Sequence, residues 1–334
     1  MIFVTGGTGF LGRHLVPALC RAGYELRVLT RDPERNTWLR QYPGVEVIPG
    51  DVTVPDSYIH ALYGCRAIIH AGSVFRMWGE ERTFLDNNVL GTAFLLSAAQ
   101  CVPIERFIYV STIAVLGQPD PDKVVDETYP PRPMDPYQRS KLIAENMALR
   151  CWRSDGLPVT VLRPGAYYGP LGSYAFNRLF FKDPMRGLIM QVDGGRHVIF
   201  PAYVADAALG VLLALGRGRS GEIYNICGEW ISHRRAFDII CEEAQLRWPR
   251  APMPGWLDLP IAQVLEAISG AIGVEPFWPM NMLRSYVHNN WRVSSEKARQ
   301  ELDFTPTDFR AGARETIAWY RAGAPDDWVD RKCD

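Results

Sequence analysis

The stretch VTGGTGFLG, residues 4–12, decides how the rest of this chain is interpreted. It follows a short apolar run at 2–5 and precedes a pattern that predicts a helix over 10–22. Between a strand and a helix, one glycine permits a tight turn, another lets the backbone approach a pyrophosphate, and a third packs the helix on the strand. The free N–H groups of the helix terminus then attract phosphate. We therefore predict dinucleotide binding rather than a purely structural turn, at Gly6, Gly9, Phe10, Leu11 and Gly12.

The composition is that of an ordinary globular protein. With 334 residues, 47% apolar and 22% charged, the chain has room for one large α/β domain or two closely associated ones. A formal net charge of −1 gives no reason to expect binding to nucleic acid or an anionic membrane. The six histidines fall at no metal-ligand spacing, so no metal site is predicted. Seven scattered cysteines and an N-terminus without a basic region favour reduced thiols and a cytoplasmic location.

The first half of the sequence alternates apolar runs with helical patterns. Strands are predicted at 2–5, 26–30, 45–48, 67–70, 106–111 and 159–162, and helices at 10–22, 56–63, 80–101 and 137–154. Strands this apolar are buried on both faces, as in a parallel sheet covered by helices. The fold class is therefore α/β, a Rossmann-type doubly wound parallel sheet.

The regular alternation of strand and helix patterns ends after about residue 165. A helix at 203–215 and a strand at 221–227 are expected to rejoin the sheet. We therefore predict a dinucleotide-binding domain at 1–165, to which 201–227 returns, and a smaller substrate-binding lobe at 166–200 and 228–334. The apolar run at 257–274 is interrupted by Asp258, Gln263 and Glu266 and is too short to span a bilayer. It predicts a buried or lid helix, with contact to a membrane surface as the alternative.

The end of the second strand, LTRDPER, should contact the adenosine ribose. An acid there would bind the 2′-hydroxyl of NAD, but Thr30 occupies that position and Arg31 follows, which suits the 2′-phosphate of NADP. Arg31 and Arg35 are therefore the candidate cofactor contacts here, but Asp32 could pair with either arginine, so NAD stays open. After the third strand, Asp51 and Val52 are expected beside the adenine, unless Asp51 caps a helix.

Two residues of PYQRSKLIAEN, 136–146, predict acid–base chemistry. Tyr137 and Lys141 share a helix face at i and i+4, although such a pair is common by chance. A free phenol has a pKa of about 10, which a nearby ammonium together with a positively charged nicotinamide would lower. Thr112 lies 25 residues earlier, at the end of the fifth strand, where side chains point into the ligand crevice. Together they could exchange a proton with an alcohol or carbonyl while a hydride moves at carbon.

This ordered set resembles the extended short-chain dehydrogenase/reductase family over nearly the whole chain. NNVLGT (87–92), IIHAGS (68–73), LRPGAYYGP (162–170), YVADAALG (203–210) and SSEKARQELDFTP (294–306) match its motifs, with Asp303 in place of the usual glycine. The resemblance implies that Thr112 is the catalytic Ser/Thr, Tyr137 the acid/base, Lys141 its partner and Asn88 the structural active-site asparagine. Ser111 ranks second to Thr112. The resemblance also implies cofactor contacts at His70, Ala71, Gly72, Tyr137, Lys141 and Pro164.

The resemblance covers three kinds of reaction: dehydration, epimerisation and oxidoreduction. Dehydratases carry an acid pair after the Thr, where this chain has Ile113 and Ala114. Epimerases need only the Thr, Tyr and Lys, so they stay open, although they often have Asn where Gly165 and Ala166 stand. GCRAIIHAGSVF (64–75), LTRDP and the apolar C-terminal segment resemble the 3β-hydroxysteroid dehydrogenase and dihydroflavonol reductase branch. In that reading the aromatic residues expected to wall an apolar pocket are Trp256, Phe277, Trp278 and Trp291.

We therefore predict an NADP-dependent oxidoreductase that interconverts a secondary alcohol and a ketone on a largely apolar small molecule. The first alternative is a nucleotide-sugar epimerase, whose diphosphate could meet Arg178, Arg186, Arg196 and Arg284. The second is a non-catalytic NADP sensor. The resemblance also implies a homodimer through the helices at 80–101 and 137–154.

Overall fold

The computed structural model describes residues 1–247 and 250–326. Within these ranges the strands are β1 (Ile2–Thr5), β2 (Leu26–Thr30), β3 (Val45–Pro49), β4 (Ala67–His70), β5 (Arg106–Val110), β6 (Val159–Pro164), β7 (Ala166–Tyr168), β8 (Met190–Val192), β9 (Val198–Ile199), β10 (Pro201–Tyr203), β11 (Ile223–Ile226), β12 (Ile231–Ser232) and β13 (Ala251–Met253). The α-helices are α1 (Gly12–Arg21), α2 (Glu81–Phe84), α3 (Gly91–Ala99), α4 (Pro136–Asp155), α5 (Ala175–Asn177), α6 (Asp183–Met185), α7 (Val204–Arg217), α8 (His233–Ala244), α9 (Asp258–Ile272), α10 (Met280–Met282), α11 (Glu296–Leu302) and α12 (Phe309–Arg321).

Seven strands form one parallel sheet. Their order is β11-β6-β5-β4-β1-β2-β3, so successive strands are added toward one edge from β1 to β3 and toward the other edge from β4 onward, with the reversal between β1 and β4. This is the doubly wound order, in which ligands bind beyond the carboxyl ends of the strands at the reversal. The predicted fold class is confirmed.

Helices cover both faces of the sheet because side chains alternate along each strand. Val4 and Ile69 pack in one apolar cluster with residues of α1, α7 and α11. Phe3 and Ile68 point the other way, into a cluster with residues of α3 and α4. β1 and β4 are buried along their whole length, which explains their nearly continuous apolar sequences.

Two predicted helices are wrong in detail. Residues 56–63 form 3₁₀ turns at Pro55–Ser57 and Ile59–Leu62, not an α-helix. The Ser57 hydroxyl bonds to the Val54 carbonyl at 2.6 Å, a local contact that competes with regular helix. The helix expected at 80–101 is interrupted by a π-helical segment, Leu85–Leu90, and such segments often occur at functional sites.

The remaining segments build a smaller lobe over the carboxyl edge of the sheet. Short strands pair there as β7 with β10, β8 with β13 and β9 with β12. Its core is rich in aromatic rings, among them Phe176, Phe180 and Phe237. β11 has returned to the main sheet beside β6. The proposed domain boundaries stay a prediction, and residues 248–249 and 327–334 of the lobe lie outside the described residues.

The apolar helix expected at 257–274 is not buried. It forms α9, of which Asp258 and Ala262 are buried, while Val264, Ile268 and Ile272 are each more than half exposed. None of the helices in the described part of the chain combines the length and hydropathy needed to cross a bilayer.

Candidate active site

A long cleft crosses the carboxyl ends of the sheet strands. It consists of two cavities of about 450 and 200 Å³, whose walls share Gly6, Gly9 and Ser73. Thr112 and Tyr137 line the larger cavity, and Arg31 and Asp51 line the smaller one. The glycine loop therefore lies at the centre of the cleft, with the predicted catalytic residues at one end and the predicted adenosine contacts at the other.

The three glycines of the loop differ in what surrounds them. A Cβ on Gly6, whose φ is +72°, would lie 2.5 Å from the Ala71 backbone, and one on Gly12 would lie 2.3 Å from the Gly6 oxygen. A Cβ on Gly9 would meet only the Gly6 oxygen, at 3.4 Å. Gly6 and Gly12 thus permit close packing, whereas Gly9 leaves the cleft open beside the backbone. The loop fits the pyrophosphate of a dinucleotide.

At the adenosine end, Arg31 faces Asp51. The Arg31 Nη1 atom lies 3.9 Å from Asp51 Oδ2, and the Arg31 side chain is 71% exposed. The other carboxylate oxygen accepts hydrogen bonds from the backbone N–H and the hydroxyl of Thr53, at 2.9 and 2.8 Å. Asp51 therefore closes a turn with Thr53 rather than capping the 3₁₀ helix that follows, whose N-cap is Val54, and it lines the cleft with Val52.

Arg35 does not reach the cleft. It lines a separate depression beside Trp38 and α1. Its backbone N–H donates to Asp32 Oδ1 at 3.0 Å, so the Asp32 carboxylate closes this turn. The turn places the Arg35 side chain outside the described lining of the cleft, and its expected cofactor contact stays a prediction.

At the other end of the cleft, Thr112 and Tyr137 come together. The Thr112 hydroxyl caps the 3₁₀ turn Ile113–Leu116 by accepting from Ala114 N at 3.2 Å. Burial and the Asp135 carboxylate raise the pKa of Tyr137, and a hydrogen bond with Thr112 opposes this rise. The sequence predicted a lowered phenol pKa. Without a bound cofactor the direction is the opposite, because the loss of water disfavours the phenolate, and the lowering by a nicotinamide stays a prediction.

Lys141 is almost fully buried beneath the cleft. Its Nζ donates to the Val110 carbonyl at 2.7 Å and lies 4.5 Å from the centre of the Tyr109 ring. Burial lowers the pKa of Lys141 to about 7, and the Glu145 carboxylate opposes this shift. The ammonium is thus held at the end of β5 by a carbonyl and an aromatic face.

Asn88 supports Tyr137 from the π-helical segment. Its Nδ2 donates to Ser140 Oγ at 2.9 Å and to the Val74 carbonyl at 3.1 Å, and its Oδ1 accepts from Val74 N at 2.7 Å. The Ser140 hydroxyl donates in turn to the Tyr137 carbonyl at 2.7 Å. Asn88 is therefore a positioning residue that fixes the start of α4.

A buried ion pair braces α4 against the sheet. Arg163 on β6 donates to Glu145 at 2.5 and 3.1 Å, and both side chains are nearly inaccessible. Ser111 donates to the same carboxylate at 2.6 Å. The Ser111 hydroxyl is thus committed to Glu145, which leaves Thr112 as the hydroxyl directed at Tyr137.

His70 lies behind the cleft rather than in its wall. Its Nδ1 and Nε2 atoms bond to the hydroxyls of Thr5 and Thr92 at 2.6 and 2.9 Å. Burial lowers the pKa of His70 to about 3, so the ring is neutral. Both ring nitrogens tie β1 to α3, so the side chain is committed to the protein, and a cofactor contact of His70 stays a prediction. Ala71, Gly72 and Pro164 do line the cleft.

This geometry agrees with the comparison to known proteins. The family model described as "NAD dependent epimerase/dehydratase family" matches residues 2–227. The chain belongs to this family. As a member it is an NAD(P)-dependent enzyme of the extended short-chain dehydrogenase/reductase type, which confirms the predicted resemblance.

Relatives within the NAD dependent epimerase/dehydratase family carry out different reactions. The chain is 29% identical over 329 residues to a putative dihydroflavonol 4-reductase of Synechocystis, which covers 96% of this chain and 94% of the relative. It is 30% identical over 307 residues to the 4-hydroxy-2-methyl-3-oxo-4-farnesyl-3,4-dihydroquinoline-1-oxide ketoreductase of Stigmatella aurantiaca, which covers 90% and 91%. The dTDP-glucose 4,6-dehydratase of Streptomyces venezuelae, solved with NAD bound, superposes with a TM-score of 0.78 at 25% identity and covers 96% and 97%.

The aromatic walls of the cavity in this family member differ from those expected. The predicted Trp256, Phe277, Trp278 and Trp291 are not among the described lining residues. Trp291 is fully buried 4.4 Å from the Phe200 ring, and Trp256 is 75% exposed. The sequence missed five rings that line the cavity: Phe75, Tyr167, Tyr174, Phe176 and Tyr286. Two of them lie inside quoted motifs, Tyr167 in LRPGAYYGP and Phe75 at the end of GCRAIIHAGSVF, and these motifs were the available signals.

Proposed function

We propose that this enzyme reduces a ketone, or oxidises the matching secondary alcohol, on a largely apolar small molecule with NADP(H). One observation carries the proposal. The described residues that line the 450 Å³ cavity around Tyr137 include no charged side chain, and aromatic rings predominate among the larger ones. A diphosphate would need cationic donors to replace its water, whereas an apolar ketone needs only one polar contact at the reacting oxygen.

The arginines considered for a nucleotide sugar support the same choice. Arg178 donates to the Phe277 carbonyl and pairs with Asp183 at 3.5 Å, and Arg196 pairs with Asp193 at 3.0 Å. The described lining of the cavity contains neither these two nor Arg186 and Arg284. Ile113 is fully buried beside an alanine, so the acid pair of dehydratases is also missing from the position after Thr112.

The chemistry assigned to each residue is simple. A bound nicotinamide would supply the hydride for reduction or accept it in oxidation. During reduction, Tyr137 donates its phenolic proton to the carbonyl oxygen, which Thr112 holds by a second hydrogen bond. A raised pKa keeps Tyr137 in the acid form that this step needs. The Stigmatella relative, named for a ketone that bears a farnesyl chain, supports a substrate of this apolar kind.

The preference for NADP rests on Arg31. Its guanidinium is largely exposed at the adenosine end of the cleft, and its weak contact with Asp51 at 3.9 Å leaves it able to turn toward a 2′-phosphate. Asp32, which could have repelled that phosphate, points into its own turn. Charged hydrogen bonds contribute about 1.5–3 kcal/mol. We therefore expect Arg31→Ala to weaken NADP binding about 10- to 150-fold in a fluorescence titration.

Arg35→Ala provides the matched control, because Arg35 belongs to the same loop but lies outside the cleft. We expect it to bind NADP as the wild type does. Equal dissociation constants of the wild type for NAD and NADP would contradict the proposed preference, as would an Arg31→Ala variant with unchanged affinity.

Turnover with a substrate panel tests the reaction. We expect NADPH to be oxidised in proportion to the ketone reduced when isoprenoid, steroid and flavonoid ketones are supplied. A nucleotide-sugar epimerase returns the hydride to its own substrate, so it would convert UDP- or dTDP-sugars with no net change in nicotinamide absorbance. Product formation from such sugars with constant absorbance would reject the proposal. Cofactor binding without turnover of any ketone, alcohol or sugar would favour the NADP sensor.

A further inference from the structure

Three polar side chains converge in the small lobe, apart from the cleft. One ligand atom from each of Asp193, His197 and His288 lies within 4.8 Å of the others. Asp193 follows β8, His197 precedes β9, and His288 follows a π-helical segment, Leu283–Val287. We propose that these three residues bind a divalent transition metal ion, of which Zn²⁺ is the best match. Two imidazoles and one carboxylate form one of the ligand sets that bind Zn²⁺ in proteins.

The spacing of the ligand atoms suits one ion. Asp193 Oδ2 and His197 Nε2 are 3.2 Å apart. Two ligand atoms on a tetrahedral Zn²⁺, each about 2.0–2.2 Å from it, are separated by about 3.3–3.6 Å. His288 offers a ring nitrogen within 4.8 Å of the other two ligand atoms, so binding of the ion would draw the three together.

The surrounding residues resemble the outer shell of a metal site. Asp258, at the start of α9, is fully buried and lies 2.7 and 2.9 Å from His288 Nε2 through its two oxygens. A carboxylate on the second nitrogen of a metal-bound histidine fixes the ring and increases its basicity. Gly255 N donates to Asp193 Oδ1 at 2.7 Å and fixes the other carboxylate.

Two buried ring nitrogens next to this group have no hydrogen-bond partner. They are His197 Nδ1 and His233 Nε2, in residues that are 8% and 3% exposed, with ring centres 6.3 Å apart. Buried polar atoms normally have partners, but within the described part of the chain these two stand beside the proposed ion and are not its ligands, since His197 faces Asp193 through Nε2.

The ion would join segments that are distant in the sequence. It would link the loop after β8, the start of β9 and the end of the 283–287 segment, and through Asp258 also α9. Tyr286, which lines the substrate cavity, lies two residues before His288. We assign the metal a structural role in this wall of the lobe, so its effect belongs to stability rather than to proton transfer at Tyr137.

The experiment uses the full-length protein after removal of metals by chelation. We expect calorimetric titration with Zn²⁺ to show a single equivalent of tight binding, and elemental analysis to find it retained after desalting. Saturation at about 100 times Kd should raise Tm by roughly 3–6 °C. Co²⁺ should give the strong visible bands of a four-coordinate ion and lose them when Zn²⁺ is added.

Variants distinguish this site from surface binding. Asp193→Asn and His288→Gln should lose the zinc-dependent rise in Tm, whereas His60→Gln, which removes an exposed histidine, should keep it. Asp258→Asn should weaken Zn²⁺ binding about 10- to 100-fold without removing a ligand, which provides an answer if the other two variants fold poorly. The proposal would be overturned if the wild-type protein did not bind one equivalent of Zn²⁺ tightly. It would also be overturned if Asp258→Asn and His60→Gln bound Zn²⁺ with the same affinity.

Discussion

Tyr137 is surrounded by aromatic rings rather than by charges. The rings of Phe75 and Phe84 lie 4.9 and 6.3 Å from it, and Lys141 directs its Nζ to the Val110 carbonyl. Burial therefore raises the pKa of the phenol, although Lys141 lies one turn further along α4. A phenol held in its protonated form is suited to donate a proton to a developing alkoxide, which is the requirement of ketone reduction.

The hydroxyl of Tyr137 is the proposed proton donor. Tyr137→Phe should lower kcat about 10²- to 10⁴-fold, because it removes the acid while the glycine loop and Lys141 remain. The dissociation constant for NADP should stay close to that of the wild type. Tyr167→Phe is the matched control, because it removes another hydroxyl from the same cavity wall. A Tyr137→Phe variant that retains a tenth of the wild-type rate would remove Tyr137 from this role.

The pH dependence should differ between the two directions. Oxidation of an alcohol needs the deprotonated phenol, and burial raises the pKa of Tyr137 above its usual value. Through the neutral range the deprotonated fraction therefore rises about tenfold per pH unit. We expect kcat/KM for oxidation to rise with pH, while reduction, which uses the protonated form, shows no such rise. Parallel profiles in both directions would contradict this assignment.

At the scale of elements, α4 joins the active site to the core. Its first turns carry Tyr137 and Lys141, and the next carries Glu145, whose carboxylate pairs with Arg163 on β6. The π-helical segment adds a second support, because Asn88 reaches α4 through Ser140. The catalytic side chains are thus held by hydrogen bonds from two neighbouring elements, which restricts their motion in the way that acid–base catalysis requires.

Removing one partner of the buried ion pair should lower the free energy of unfolding. Glu145→Ala leaves the buried Arg163 guanidinium without its counter-ion, and such losses amount to about 3–5 kcal/mol. We expect this decrease in the free energy of unfolding in a urea titration. Glu145→Ala combined with Arg163→Met should recover much of it. Glu34→Ala removes the exposed partner of Arg40 and should cost less than about 1 kcal/mol. A Glu145→Ala variant as stable as Glu34→Ala would show that the pair does not brace α4.

At the scale of the whole molecule, an apolar surface lies on the side of the sheet opposite α1 and α7. The π-helical segment, α3 and α4 pack against one another there. Leu85, Leu90, Phe94 and Ile143 are each between 38% and 46% exposed on these elements. We propose that two copies of the chain associate through this surface, as the resemblance to the family implied.

The oligomeric state tests that association. A stable dimer interface buries at least about 1,200 Å² in total and tolerates no charge at its centre. Phe94→Glu should therefore shift the mass measured by light scattering from dimer to monomer. Phe277→Glu, at an exposed ring of the small lobe, should leave the dimer intact. A wild-type protein that is monomeric at micromolar concentration would refute the proposal.

The sequence alone determined the features that depend on neighbouring residues. The apolar runs of β1 and β4, the spacing of Gly6, Gly9 and Gly12, and the i, i+4 pair of Tyr137 and Lys141 are local patterns. Each element imposes its own periodicity, so the parallel sheet, the glycine loop and the pairing on α4 could be predicted before any tertiary contact was known.

Only the tertiary structure decided where side chains point and how much water they lose. The turn at Asp32 directs Arg35 away from the cleft, and Thr5 and Thr92 hold His70 behind it. Asp193 and His288 are 95 residues apart in the chain, so no local sequence motif could predict that they lie close together. The pKa of Tyr137 rises because rings from distant segments exclude water. Side-chain direction and desolvation are set by these long-range contacts, which a local pattern does not contain.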